Sequence, residues 1–270
     1  MDDHGGNIRM TNYKAVFFDI DGTLVNDEKV IPADAVEAVN QLKASGIDVF
    51  IATGRAPYYI TKYLSELGLD SFISLNGSYV VYKGQPVHKT PISKSTMERL
   101  ENTALSHNHP IVMQGAEASF SNTEQHDFIA TSFETLRVEV PGYRTSYWKE
   151  APIYQALLYC QEHEEHIYTS EEAGFGDLQF VRWHPYAVDV IPAEGSKAKG
   201  IEAVLKVLGI SKEEVVAFGD GLNDVEMLSY VGLGIAMGNA NDEVKSYAKY
   251  VTSSVDESGI RKGLEYAGLL

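Results

Sequence analysis

Asp19 and Asp21 stand two residues apart at the end of the apolar run Ala15–Ile20, followed by Gly22 and Thr23. Residues two apart in an extended segment face the same side, so both carboxylates point into one cleft. Carboxylates that close repel each other unless a cation or a shared proton offsets their charge. Thr53-Gly54-Arg55 follows a second apolar run, Ile47–Ala52, and offers a hydroxyl, a glycine N–H and a guanidinium suited to an anion. Gly219-Asp220-Gly221-Leu222-Asn223-Asp224 follows Val215–Phe218 and adds two carboxylates and an amide. Oxygen donors without cysteine or histidine select magnesium over zinc or copper. Lys197, within Gly195-Ser196-Lys197-Ala198-Lys199, begins a helix-like segment where a cation opposes the helix dipole and needs another reason to be present. Lys199 is its rival. Two carboxylate pairs, a hydroxyl and a cation are the parts needed to move a phosphoryl group.

The elements that must position these residues alternate. Ala15–Ile20 reads as a buried strand, and Val36, Val39 and Leu42 recur at helical spacing before Gly46. Ile47–Ala52 is a second strand, Pro57–Leu67 a helix closed by Gly68, and Phe72–Leu75 a third strand ending in Asn76-Gly77. The rhythm returns with a helix from Ser196 to Leu208, strand Val215–Phe218, helix Asn223–Tyr230, and strands Leu233–Met237 and Tyr250–Thr252. This pattern predicts an α/β fold whose parallel sheet is covered by helices on both faces. Between about Gly84 and Trp183 the character changes. Most histidines and both tryptophans lie there, with strand candidates Tyr154–Tyr159 and Leu178–Trp183. The expected organisation is a Rossmann-like core of residues 10–83 and 185–270, an inserted α+β domain of residues 84–184, and a polar leader, residues 1–9, expected to be disordered. Met10 is a second candidate start. In open α/β sheets the C-terminal strand ends are where ligands bind, and all four chemical segments map there.

Composition narrows the partners. The chain has 270 residues with 22 Lys+Arg against 38 Asp+Glu, a net charge of −16. No basic run offers a patch to a phosphate backbone, which argues against nucleic acid. No apolar run of transmembrane length occurs, so no membrane partner is expected. The single cysteine, Cys160, lies in an apolar run and reads as a buried hydrophobe, in keeping with a cytoplasmic location.

Asp19-Ile20-Asp21-Gly22-Thr23-Leu24, Thr53-Gly54-Arg55, Lys197 and Gly219–Asp224 resemble, in this order, the four motifs of the haloacid dehalogenase-like superfamily. The insert between the second and third motifs, Asn76-Gly77, Gly234–Ala240 and Val251-Thr252 resemble its Cof-type phosphatase branch, subfamily IIB with a C2B cap. The likeness runs from about Lys14 to the end, though the insert matches in placement more than in residues. The family's lysine often directly precedes a glycine. Here Ala198 follows Lys197, and Lys199 precedes Gly200; the Ser-Lys-Ala-x-Gly-Ile form favours Lys197.

The resemblance implies a magnesium-dependent hydrolase of a small phosphate monoester, a sugar phosphate or a phosphorylated cofactor. Asp19 would be the nucleophile forming an aspartyl-phosphate, and Asp21 the general acid and base. Thr53, Gly54, Arg55, Lys197 and Asn223 would bind the substrate and its phosphoryl group. Mg²⁺ would be held by the Asp19 carboxylate, the Asp21 main-chain carbonyl and Asp220, with Asp224 close by or reaching it through water. The alternatives are a phosphomutase of the same superfamily and a non-catalytic binding or regulatory protein on the same scaffold. Lys83-Gly84 and Trp183–Tyr186 are the expected hinges, with His184 and Tyr186 near the substrate. Trp148 and Trp183 are expected in the core of the insert, with an aromatic wall over the cleft as the alternative, and Tyr58 and Tyr59 as packing residues on the sheet, with reach into the cleft as the alternative. His163-Glu164-Glu165-His166 has the wrong spacing for a zinc-protease motif, and His107, His109 and His126 read as surface or loop histidines.

Overall fold

A computed structural model describes residues 12–270; the polar leader lies outside the described residues. Two sheets organise it. The first has eight strands: β1 (Ala15–Phe18), β2 (Asp48–Ala52), β3 (Phe72–Ser74), β4 (Tyr79–Tyr82), β5 (Gln85–Lys89), β12 (Val215–Gly219), β13 (Leu233–Ala236) and β14 (Tyr250–Val251), with the insert's β6–β11 lying between β5 and β12 in the chain. Their order is β14-β13-β12-β1-β2-β3-β4-β5, parallel from β14 to β3 and antiparallel beyond. β1 is buried along its whole length, as a central parallel strand covered on both faces must be. Val16 and Phe18 face α1 (Ala33–Ala44) and α9 (Gly259–Tyr266) through Ala38, Val39, Leu42, Ile260 and Leu264. Phe17, stacked on Phe50 at 4.6 Å, faces α6 (Lys197–Leu208) through Ile201 and Val204.

The second sheet belongs to the insert. β6 (Ile111–Gln114), β7 (Ser119–Ser121), β8 (Gly142–Tyr143), β9 (Gln155–Tyr159), β10 (Leu178–His184) and β11 (Ala187–Pro192) run in the order β10-β11-β9-β6-β7-β8, antiparallel except between β7 and β8. α3 (Lys94–Ser106) packs Met97 and Leu100 against one face. α4 (Asp127–Leu136) packs Ile129 and Phe133 against the other, with Val112, Leu157 and Tyr159.

The sheets place the junctions later in the chain than 84 and 184. Gln85–Lys89 pairs with β4 in the first sheet, so Lys83-Gly84, both at positive φ, form the two-residue turn of a hairpin. Ala187–Pro192 pairs with β9 and β10 in the second sheet, so Trp183–Tyr186 is a hairpin end. The chain crosses between the sheets at about residues 90–93 and 193–196. The helix expected over Pro57–Leu67 is a short 3₁₀ turn, Pro57–Tyr59, followed by α2 (Thr61–Leu67), which Gly68 ends in the left-handed conformation.

Candidate active site

Because β1, β2, β3 and β12 are parallel, their C-terminal ends open on one edge of the sheet. Asp19 and Asp21 follow β1, Thr53-Gly54-Arg55 follows β2, Asn76 follows β3, and Asp220–Asp224 follows β12. α6 brings Lys197 to the same edge. Ser196 caps this helix by accepting the Lys199 N–H at 3.2 Å. Its carbonyl lies so near Gly77 that a Cβ there, at φ +92°, would come within 1.9 Å of it. Only glycine lets the β3–β4 turn and the helix N-terminus meet.

Lys197 Nζ donates to Asp19 Oδ1 and to Asp224 Oδ1, each at 2.6 Å. Burial alone would discharge this lysine, but Asp19 and Asp224 outweigh it and hold its pKa above the ordinary range. Asp224 Oδ2 accepts the backbone N–H groups of Asp220 (3.0 Å) and Gly221 (2.9 Å), which ties down the loop that carries Asp220. Asp220 Oδ1 accepts from the Thr23 hydroxyl at 2.8 Å. Lys199 points elsewhere: it is exposed and paired with Glu202 at 3.1 Å.

Asp19, Asp220 and Asp224 bring carboxylate oxygens within 4.8 Å of one another. Burial pushes the Asp19 pKa well above the ordinary carboxylate range; Lys197 opposes it, while Asp224, Asp220 and Asp21 add to it. Burial and the Asp224 charge push Asp220 up to about 7. Three crowded carboxylates with one lysine among them fit a hard divalent cation: the donors are all oxygen, and a cation offsets both the burial and the mutual repulsion that raise the Asp19 and Asp220 pKa values. The triad can therefore hold a metal.

Asp21 turns its carboxylate away from the triad. Arg55 grips both oxygens, Nε on Oδ2 and Nη2 on Oδ1, each at 2.7 Å, and Lys29 Nζ donates to Oδ1 at 2.6 Å. Burial raises the Asp21 pKa, but Arg55 and Lys29 outweigh it and leave it below its usual value. Thr53, Gly54 and Asn223 line the same cleft, which has a volume of about 530 Å³ and is closed on its far side by the insert. Asn223 donates to Asn76 Oδ1 at 3.0 Å, and Asn76 donates to Gln155 (2.9 Å) and Asp189 (2.7 Å) of the insert.

All nine site residues expected from the sequence therefore reach one edge, and eight of them fall into two groups, the Lys197–acid cluster and the Asp21–Arg55 pair with its neighbours. Lys29, Asn76, Gln155 and Asp189 were not among them. Asp189, an acid inside the buried strand β11, was visible as a lone charge in an apolar run. Burial pushes it up to about 7 against the pull of Asn76 and Lys197. Lys29 carries no such signal, because a lysine in a loop looks solvated.

For Trp183 and Tyr59 the alternative place in the cleft is the one observed, and His109 is not at the surface. Trp183 lines the cleft with His184, whereas Trp148 lies in the insert core with its indole N–H on Glu101 at 2.7 Å. His109 is buried, with Nδ1 2.7 Å from the Tyr168 hydroxyl, while His163 and His166 are exposed. Tyr59 lines the cleft, and Tyr186 stacks on Phe128 at 4.1 Å.

This fold and site define a haloacid dehalogenase-like hydrolase, and the chain belongs to that family: its family model matches residues 16–264. Within it the chain falls in the Cof-type, IIB branch, and it is a phosphatase enzyme. YkrA of Bacillus subtilis (strain 168), provisionally named a phosphatase, is 40% identical over 257 residues, 95% of this chain and 98% of its own. A hypothetical protein from Geobacillus kaustophilus HTA426 has a crystal structure with 45% identity and a TM-score of 0.88, covering 96% of this chain and 100% of that one. The structure of BT4131, a sugar phosphatase of HAD subclass IIB, has 32% identity and a TM-score of 0.85, covering 95% of this chain and 100% of that one. Among the described residues no helix is long and apolar enough to cross a membrane.

Proposed function

We propose that the chain hydrolyses a small phosphate monoester through an aspartyl-phosphate on Asp19, with Mg²⁺ as the metal and residues 94–192 acting as a cap over the site. The observation that carries this reading is the Lys197 ammonium set between Asp19 and Asp224, 2.6 Å from each, beside the acidic triad. A carboxylate oxygen of Asp19 attacks phosphorus in line, and the phosphorus–oxygen bond to the alcohol breaks. Asp21 gives that oxygen a proton as it leaves. In the second step Asp21 takes a proton from the water that attacks phosphorus, and the Asp19 carboxylate is released.

Asp21 must hold a proton for the first step, yet in this structure Arg55 and Lys29 favour its ionised form. A phosphoryl dianion arriving in the cleft competes for both cations and returns the proton affinity that Asp21 lacks without it. Thr53, the Gly54 N–H, Lys197 and Asn223 hold the phosphoryl oxygens, and Arg55 orients Asp21. Mg²⁺, held by Asp19, Asp220, Asp224 and the Asp21 main-chain carbonyl, would supply charge neutralisation between nucleophile and phosphate. The test is phosphate release from p-nitrophenyl phosphate with magnesium, with EDTA, and by Asp19→Asn with magnesium. Release by the unmodified protein with magnesium alone is expected. Undiminished release in EDTA ends the metal assignment.

A further inference from the structure

The two halves of the cleft differ in chemistry. The core side presents Asp19, Asp21, Lys29, Thr53 and Arg55. The insert faces them with Phe133, Val138, Leu157 and Trp183, which pack in one apolar cluster together with Tyr59 of the core.

Most polar groups on the insert side are engaged with one another; the Trp183 indole N–H, buried and without a hydrogen-bond partner among the described residues, is an exception. The Gln155 amide nitrogen donates to the Gly54 carbonyl (3.1 Å), Gln114 Oε1 (3.0 Å) and Asp189 Oδ1 (3.4 Å), and its oxygen accepts from Asn76. The other Asp189 oxygen also accepts from Asn76, at 2.7 Å. The Thr135 hydroxyl donates to the Ser132 carbonyl at 2.7 Å. His184 accepts the Tyr186 N–H on Nδ1, which leaves one imidazole nitrogen for a ligand. Beyond that nitrogen and the unpartnered Trp183 N–H, the wall offers largely carbon surface.

A leaving group with several hydroxyls would find only the His184 nitrogen and the Trp183 N–H on this wall and would bury the rest without partners, and each unpaired hydroxyl weakens binding. A flat ring loses nothing by the same burial and gains from the face of the partly exposed Trp183. Resting on the phosphatase reading above, we infer that the substrate is the phosphate ester of an alcohol that carries a planar aromatic or heteroaromatic ring. A polyhydroxylated sugar is the poorer fit. The ring lies against Trp183, Val138 and Tyr59, with Phe133 and Leu157 buried behind them, and the phosphoryl group points to Asp19.

Benzyl phosphate and glucose 6-phosphate are both esters of primary alcohols, so the difference in their kcat/KM reads the wall more than leaving-group basicity. Acetyl phosphate is too short to reach the wall and reads the core chemistry alone. Benzyl phosphate is expected to exceed glucose 6-phosphate by about tenfold or more. Trp183→Leu and Val138→Asn are each expected to lower the ratio of kcat/KM for benzyl phosphate to that for acetyl phosphate by about fivefold. Such a ratio is insensitive to partial loss of folded protein. An equal or reversed preference, or a ratio that neither variant moves, overturns the inference and leaves the phosphatase reading standing. Hydrolysis of none of the three esters overturns both.

Discussion

Lys197 and Asp224 form an ion pair at 2.6 Å in which neither side chain is exposed to solvent. A buried charge survives only with a well-placed partner, and here each has more than one. Lys197 also holds Asp19, and Asp224 also holds two backbone N–H groups of the loop after β12. One lysine thus joins the end of β1, the start of α6 and the loop that carries Asp220.

Lys197→Met removes that joint. Asp19 and Asp224 then face each other without it, a loss of about 3–5 kcal/mol when a buried pair is broken from one side. The expected outcome is a lower Tm, most pronounced in EDTA, and near-complete loss of phosphate release. Lys199→Met, at an exposed pair with Glu202, is expected to change kcat by less than about twofold. Thermal unfolding and initial rates of the two variants side by side check both statements, and the reverse ranking would restore Lys199 as the site lysine.

Metal binding should depend on pH in a defined sense. Asp19 and Asp220 have folded-state pKa values raised above the usual carboxylate range, Asp220 to about 7. A proton must leave before a cation can take its place, so magnesium competes poorly below that value and well above it. The Tm gain on adding magnesium is expected to be larger near about pH 8 than near about pH 5.5. Without metal the sign reverses. Raised carboxylate pKa values mean the folded state binds more protons, so these groups lose stability as pH rises through about 7. Thermal shifts at the two pH values, with magnesium and with EDTA, read both trends.

Gly22 is bound to its place by Asp220. Its φ is +80°, and a Cβ would lie 2.2 Å from Asp220 Oδ2. Gly22→Ala is expected to displace that carboxylate and to weaken magnesium binding, measured by titration calorimetry, by at least about tenfold. Unchanged affinity would remove Asp220 from the ligand set.

Asp21→Asn retains the shape of the Asp21 side chain but loses its proton chemistry and its ion pairs with Arg55 and Lys29. The expected loss in kcat is about 10²–10⁴-fold for an ester of a basic alcohol. It should be smaller for p-nitrophenyl phosphate, whose leaving group departs without a proton. Equal losses with both esters would assign Asp21 a structural role.

What the sequence showed and what it hid have the same origin. Asp19, Asp21, Thr53 and Asp220 were legible because each follows a buried parallel strand, where an apolar run stops abruptly at a polar residue. Lys197 was preferred to Lys199 only through the family-like Ser-Lys-Ala-x-Gly-Ile form; the contacts that separate them, Lys197 on Asp19 and Asp224 and Lys199 on Glu202, are made between distant parts of the chain or on the helix surface. The β4–β5 hairpin was missed because Gln85–Lys89 is largely exposed and has no apolar alternation to announce it. Asn76 acts through Asn223 and Asp189, 147 and 113 residues away, and Gln155 through Asn76 and Asp189, 79 and 34 residues away, and no local spacing records such contacts. Trp183 could be core or an aromatic wall over the cleft, because an aromatic residue in a strand is ordinarily buried, and only the position of the second sheet over the first puts it in the cleft.

The central claim is that Asp19 carries the phosphoryl group. Its most direct test is to quench the protein in acid during turnover with magnesium and to map any phosphoryl adduct by peptide mass spectrometry. The account predicts one adduct, on the peptide containing Asp19 and lost in Asp19→Asn together with phosphate release. An adduct on another residue, or full turnover by Asp19→Asn, would contradict it.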